Sequence, residues 1–312
     1  MTADPAGGAS VVVVGSYNVG LTMTVPRFPT PGETVLGHSF SEGPGGKGSN
    51  QAIGVARLGG HAQFVGGVGD DQYGDDAFAL WEREGVDVEH VSRTDETHTG
   101  LGFVIVNEDG ENEITVAPGA NERLDADDIG DAAGAVESAD VLLCQLEVGD
   151  GPIRAAVEAA SAAGADVVLN PAPARELPEA ILSHVDYLTP NENEARLLLG
   201  LDPDDDRSDE AVATELRELG VDTVVMTRGA DGALVVTDDG VTAVPSVDVD
   251  VVDTTGAGDS FNAAFAVARG EGEPVVEAAR FACAAGALAV TASEVIPGLP
   301  SREAVEAALG GD

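Results

Sequence analysis

Six short apolar runs, each closing on a turn, constrain the fold of this chain more than any other feature. They are "VVVVGS" from Val11, "AQFVGGVG" from Ala62, "DVLLCQL" from Asp140, "DVVLNPAP" from Asp166, "YLTPN" from Tyr187 and "DTVVMTRG" from Asp222. A run that is apolar on both alternating positions suits a strand buried on both faces. Helix-forming stretches such as "PIRAAVEAASAAG" and "EAVATELRELG" lie between most of them. Strand and helix in alternation imply βαβ units, hence an α/β fold: a mostly parallel sheet with helices on both faces. Such folds keep their chemistry at the strand ends.

Two segments break this alternation. "LTMTVPRFPTPGETVLGHSFSEG" (21–43) and "THTGLGFVIVNEDGENEITVAPG" (97–119) lack helical periodicity. The second holds two strand-like runs around an Asp-Gly turn, a hairpin pattern. Both segments are expected to form a small secondary sheet. The organisation read from the sequence is one domain, 1–312, with a β lid from about 19–43 and 97–119. An ordinary edge hairpin of the main sheet is the plainer alternative for the second segment.

The formal net charge is −41 over 312 residues, and Lys47 is the only lysine beside fourteen arginines. This charge excludes a basic footprint for nucleic acid and disfavours anionic membranes. In molar salt the Debye length falls to roughly 3 Å and surface carboxylates cease to repel one another. The composition is therefore read as that of a protein from an extreme halophile. Cys144 and Cys283 sit in apolar runs and read as small buried hydrophobes, not a disulfide framework. No apolar run approaches 18 residues and "MTADPAGGAS" carries no basic leader region, so a cytoplasmic protein is expected.

The strongest local pattern is "DTTGAGDSFNAAFAVARG", from Asp253. Gly256, Ala257 and Gly258 let several backbone N–H groups converge at a helix start, which makes an anion cradle. Asp259 beside it suits a general base for a hydroxyl attacking a phosphoryl group, or, more plainly, a cap of the helix. The loop "EGPGGKGSNQA" around Lys47 is glycine-rich without being a Walker A sequence, since Gly48 follows the lysine and Ser41 stands where the first glycine would be. It either holds a polar ligand, with Asn50 supplying hydrogen bonds, or is a structural turn. In "TPNENEARLLLG", Asn191 and Glu194 share one side of a helix start, fit either to hold a hydrated Mg²⁺ or to cap. Thr227 and Gly229 end a strand, where a nucleotide or a plain turn could lie. The five scattered histidines, the missing G-x-S-x-G and the missing G-x-G-x-x-G speak against a transition-metal site, a serine hydrolase and a dinucleotide enzyme.

Together these segments resemble the ribokinase family, the PfkB-type carbohydrate kinases, over nearly the whole chain. "GGKGSNQA" and "DTTGAGDSFN" look like its two signatures, and "PTPGETV", "GDDQYG", "NPAPARELP" and "TPNENEA" are similar to its ribokinase branch. The resemblance implies an ATP- and Mg²⁺-dependent kinase acting on the primary hydroxyl of a pentose, D-ribose first. It implies that Asn18, Gly45, Gly46, Lys47, Asn50 and Glu147 line the sugar pocket, that Asp259 is the base, and that Gly256, Ala257 and Gly258 form the anion hole. Asn191, Thr227 and Gly229 would contact ATP, and Asn191 and Glu194 would place Mg²⁺ through water. Asp253 and Thr255 would be ligands of a possible K⁺. A homodimer formed through lid strands is also implied.

Three positions depart from the family pattern. Gly20 stands where ribokinases usually carry an aspartate that holds ribose hydroxyls. The change removes a negative charge and opens the reading to ribose 1-phosphate, deoxyribose, a ketohexose or a nucleoside. Glu294 stands at a usual glycine and Gly298 at a frequent serine, in the loop of the family's monovalent-cation site. Cys283 takes the place of a common histidine near the adenine. From a different class, a noncatalytic sugar-binding regulator on the same fold would need no base at Asp259.

Overall fold

Strand β1 (Ser10–Val14) lies inside a nine-stranded sheet, third from one edge, and its four valines are fully buried. Their alternation builds two cores at once. Val11 and Val13 pack on one face with Ile53, Phe265 and Val267. Val12 and Val14 pack on the other with Ile153, Leu216 and Leu142. Each such side chain contributes about 1.5–3 kcal/mol by leaving water, so one tetravaline run ties both helical layers to the sheet. A computed structural model describes residues 8–310.

The remaining strands are β2 (Asn18–Thr24), β3 (Ser39–Gly45), β4 (His61–Gly69), β5 (Val91–Thr94), β6 (Gly100–Val106), β7 (Asn112–Ala117), β8 (Val141–Gln145), β9 (Asp166–Asn170), β10 (Tyr187–Leu188), β11 (Thr223–Thr227), β12 (Ala233–Thr237) and β13 (Gly240–Val244). The main sheet runs β13-β12-β11-β10-β9-β8-β1-β4-β5. Its pairs are parallel from β11 through to β5, and β12 and β13 extend it antiparallel. From β1 the chain proceeds one way to β4 and β5, and the other way to β8, β9, β10 and β11. The order therefore reverses between β1 and β8, and a crevice opens at their carboxyl ends.

A second sheet, β3-β2-β6-β7, rises from that crevice. Strand β2 starts four residues after β1 ends and pairs in parallel with β6; β6 and β7 form the hairpin expected from the Asp-Gly turn, with Gly110 at φ 81°. The first irregular segment is only partly strand. Residues 25–38 between β2 and β3 carry no strand, and Pro26, Pro29 and Pro31 explain it, because proline has no N–H for a ladder. The short edge strands β5 and β13 carry little apolar alternation and were not foreseen.

Both cysteines are free and buried, and burial pushes both thiols up to about 12. Among the described residues no helix is long and apolar enough to cross a membrane.

Candidate active site

The glycines around Lys47 are dictated by backbone-on-backbone packing. Gly46 caps the helix Lys47–Arg57 at φ 87°, and an added Cβ there would fall 2.6 Å from Asn18 N and 2.7 Å from Tyr17 Cα. A Cβ on Gly48 would meet Ser16 N at 2.6 Å. The loop thus lies directly on the segment that leaves β1, a fit only glycine allows. This brings Lys47 N to Glu147 Oε2 at 2.9 Å, and the same oxygen accepts the Ser16 hydroxyl and, at 3.4 Å, Asn18 Nδ2. Asn121 clamps the other side: its Oδ1 accepts from Tyr17 N (3.0 Å), and its Nδ2 donates to Tyr17 O (2.9 Å) and Asn18 Oδ1 (3.0 Å).

The helix Ala257–Gly270 starts from Gly256 in the left-handed region, φ 84°, where Val295 leaves no room for a Cβ. Asp259 lies in its first turn and is buried, but it does not cap the helix. Its carboxylate turns inward instead: Asn50 Nδ2 donates to Oδ2 at 2.8 Å and Gln51 Nε2 to Oδ1 at 3.0 Å. The two glycine-rich segments, 209 residues apart, therefore meet at one carboxylate. Asn50 Oδ1 is buried without a partner. A Cβ on Gly258 would meet nothing within 4 Å, so the cradle is open there.

Lys47 is the cation of this site. Burial alone would lower its pKa, but the combined charges of Asp259, Glu147 and Glu194 raise it above the ordinary lysine range. Asn191 and Glu194 form a reciprocal capping box on the helix Glu192–Leu198: Glu194 N donates to Asn191 Oδ1 at 2.8 Å, and Asn191 N to Glu194 Oε2 at 2.9 Å. Capping is thus one role of this pair. The Glu194 pKa is raised, chiefly by burial and against the pull of the Asn191 N–H and Lys47, so this carboxyl also faces the site. Its oxygens and that of the Asn191 side chain are hard donors that suit Mg²⁺.

Beside the cradle is a cavity of about 260 Å³, lined by Thr227, Gly229, Val247, Ala257, Phe261 and Cys283 among others. Its apolar wall and glycine rim suit a flat ring with a polar tail. Asp253 and Thr255 lie in the adjoining loop; Thr255 N donates to Asp253 Oδ1 at 2.9 Å, and the amides of Val252 and Asp253 donate to Val290 O. Among the described residues, no group of three or more histidine, cysteine, aspartate or glutamate side chains is arranged to hold a metal by itself.

Gly20 pairs across β2 with Gly43 and Gly102, in a row without side chains on the face that also carries Asn18. A Cβ at Gly20 would meet only Gly43 O, at 3.7 Å. An aspartate would fit there, so the glycine is not imposed by packing.

Ser16, Gln51, Asn121, Gln145, Asn170, Thr189 and Asn262 were not singled out from the sequence. Each is polar and buried, at or just past the carboxyl end of a strand or within the two glycine-led helices. Only "VLLCQ" and "VVLN", strands ending on an amide, carried a signal that could have flagged two of them.

Residues 9–302 match the pattern of the pfkB family carbohydrate kinases. The chain is 36% identical to a ribokinase of Haemophilus influenzae across 94% of its own length and 96% of that protein's. It is 37% identical to a ribokinase of Bacillus subtilis across 96% and 99%. Its backbone is similar, with a TM-score of 0.90, to the structure of Arabidopsis thaliana ribokinase complexed with ribose and ATP, at 33% identity and covering 98% and 100% of the two chains.

Proposed function

The chain belongs to the pfkB family of carbohydrate kinases, and from that membership we propose that it transfers the γ-phosphoryl group of ATP to the primary hydroxyl of a pentose, D-ribose before others. The observation that carries the reading is the bond between Asn50 and Asp259, which joins the sugar-side loop to the phosphate-side helix. Asp259 takes the hydroxyl proton as the sugar oxygen attacks phosphorus and ADP departs. Asn18, Glu147 and the unpartnered Asn50 Oδ1 hold sugar hydroxyls, with the backbone of Gly45 and Gly46 beneath. The amides at Gly256, Ala257 and Gly258 face the transferred group, and an aimed donor in such a cradle contributes about 3–4 kcal/mol. Lys47, held protonated by three carboxylates, offsets negative charge between sugar and phosphate. The cavity beyond takes the nucleotide base and ribose, with Thr227 and Gly229 on its rim and Asn191 toward the phosphates.

Glu194, with Asn191 through water, would hold Mg²⁺, which supplies charge neutralisation at the phosphates. Asp253 and Thr255 would give oxygen ligands to K⁺ beside the cradle. The small sheet, about 19–43 and 97–119, acts as a lid on the sugar within one domain spanning 1–312. One of its faces carries Met23 paired with Phe40, and Phe103, all exposed, and a second copy of the chain covers them in a homodimer. The charge and the single lysine support a halophilic, cytoplasmic setting.

The deciding measurement is ADP release in molar KCl with Mg²⁺ and ATP, with D-ribose against ribose 1-phosphate. Faster turnover on ribose is expected, with Asn18, Glu147 and water serving for the carboxylate missing at Gly20. Turnover confined to the phosphorylated sugar would reassign the acceptor. Asp259→Asn should lose about 10³-fold in kcat with sugar binding retained; activity within tenfold of wild type would refute the base.

A further inference from the structure

Every hydrogen-bonding atom of the Gln51 amide has a partner, and one backbone carbonyl decides which way that amide faces. Thr189 O can only accept, and Asn170 Nδ2 donates to it at 3.2 Å. Asn170 Oδ1 is thereby turned toward Gln51, whose Nε2 donates to it at 3.2 Å. The same Nε2 donates to Asp259 Oδ1 at 3.0 Å, and Gln51 Oε1 accepts from Gln145 Nε2. Flipping the Gln51 amide would set its oxygen against two other oxygens, so the chain of amides has one orientation. Thr189 also reaches the Asp259 helix directly: its hydroxyl bonds Asn262 Oδ1, and Asn262 Nδ2 donates to Gly258 O at 2.8 Å. All six side chains are at least nine-tenths buried, where low local dielectric strengthens such a network.

We propose that Gln51 is a positioning residue of the transfer: it pins Asp259 Oδ1 and so aims Oδ2, steadied by Asn50, at the hydroxyl to be deprotonated. The strand ends of β8, β9 and β10 set the base through this one amide. The inference rests on Asp259 being the base, and three measurements on two variants separate its failure from that of the functional reading. Gln51→Leu should lower kcat about 10²-fold while both KM values stay within about twofold. Gln51→Glu keeps the shape but sets a carboxylate beside Asp259, which opposes ionisation of the base. The acid limb of its kcat/KM profile should move to higher pH by a unit or more, as a second carboxylate beside the base requires, and kcat above that limb should stay at least tenfold below wild type because no amide N–H holds Oδ1; a purely structural glutamine would lower Tm and leave that plateau unchanged. A crystal structure of Gln51→Leu should show the Asp259 carboxylate turned away from Asn50. An unmoved carboxylate would overturn the proposal whether or not the wild-type protein phosphorylates a sugar. If Gln51→Leu does not fold, the plateau kcat of Gln51→Glu above its acid limb decides.

Discussion

Lys47 carries the largest share of what single residues tell about this protein. It is the one lysine in the chain, half-buried, and the charges of Asp259, Glu147 and Glu194 raise its pKa. Arginine carries a broad planar fork where lysine ends in a compact ammonium. Lys47→Arg should therefore lose at least tenfold in kcat/KM; activity equal to wild type in steady-state assays would show the charge alone to be sufficient. The sign of the pH effect follows from the raised Lys47 pKa: the protonated amine persists as pH rises, until the raised value is passed. Glu147→Gln removes one of the three charges, so the alkaline limb of the kcat/KM profile should move to lower pH. Glu294 is a residue-scale cost. It is the one non-glycine at positive φ among the described residues, at φ 69° and ψ 147°, a region nearly reserved for glycine. That strain is worth about 1–3 kcal/mol, and glycine returns up to about 1 kcal/mol of it through unfolded-chain entropy. Glu294→Gly should raise Tm by about 2 °C, measured by calorimetry.

At the scale of elements, the helix Lys47–Arg57 is the part that joins the glycine loop, Asp259 and the C-terminal segment. Its first residues hold Glu147 and Asp259, and its last, Arg57, forks onto Glu84 at 2.8 and 3.0 Å while Nη1 donates to Ile296 O and Leu299 O. Val295, in the same segment, closes on Gly256. Arg57→Ala strands Glu84 and two carbonyls and should cost about 2–4 kcal/mol in denaturant unfolding, with Arg57→Lys recovering only part because it lacks the fork. Elements of this kind divide sharply in how far the sequence reveals them. The buried parallel strands were legible because tetravaline-like runs have few other homes, and the β6–β7 hairpin because its turn chemistry is local. The edge strands β5 and β13 were not, since neighbours rather than their own pattern make them strands. In the site, the glycine loop and Asp259 could be read from local spacing. The amide chain Gln145–Gln51–Asn170–Thr189 could not, because its members come from four segments that only the folded sheet brings together.

For the whole molecule, net charge sets the conditions of work. A surface carrying −41 repels a nucleotide that is itself an anion, and roughly 8 Å of Debye length at physiological salt leaves that repulsion in force. Raising ionic strength from about 0.2 M to 2 M shrinks the range to a few ångströms, so the KM for ATP should fall severalfold. Choline chloride and KCl should share that fall, which separates screening from any specific K⁺ effect. A KM that climbs with salt would mean that the local field of Lys47 and the helix start outweighs the global one.

The placement of Lys47 also governs how this protein meets amine chemistry. Side-chain reagents that modify or tether proteins through lysine find one ε-amine in the chain, half-buried and held as ammonium by its neighbours. The outer surface is therefore silent to lysine cross-linkers and lysine-coupled supports. Any slow labelling of that amine reports on the crevice, and a bound sugar should shield it, so that one acylation reaction becomes a count of occupied sites.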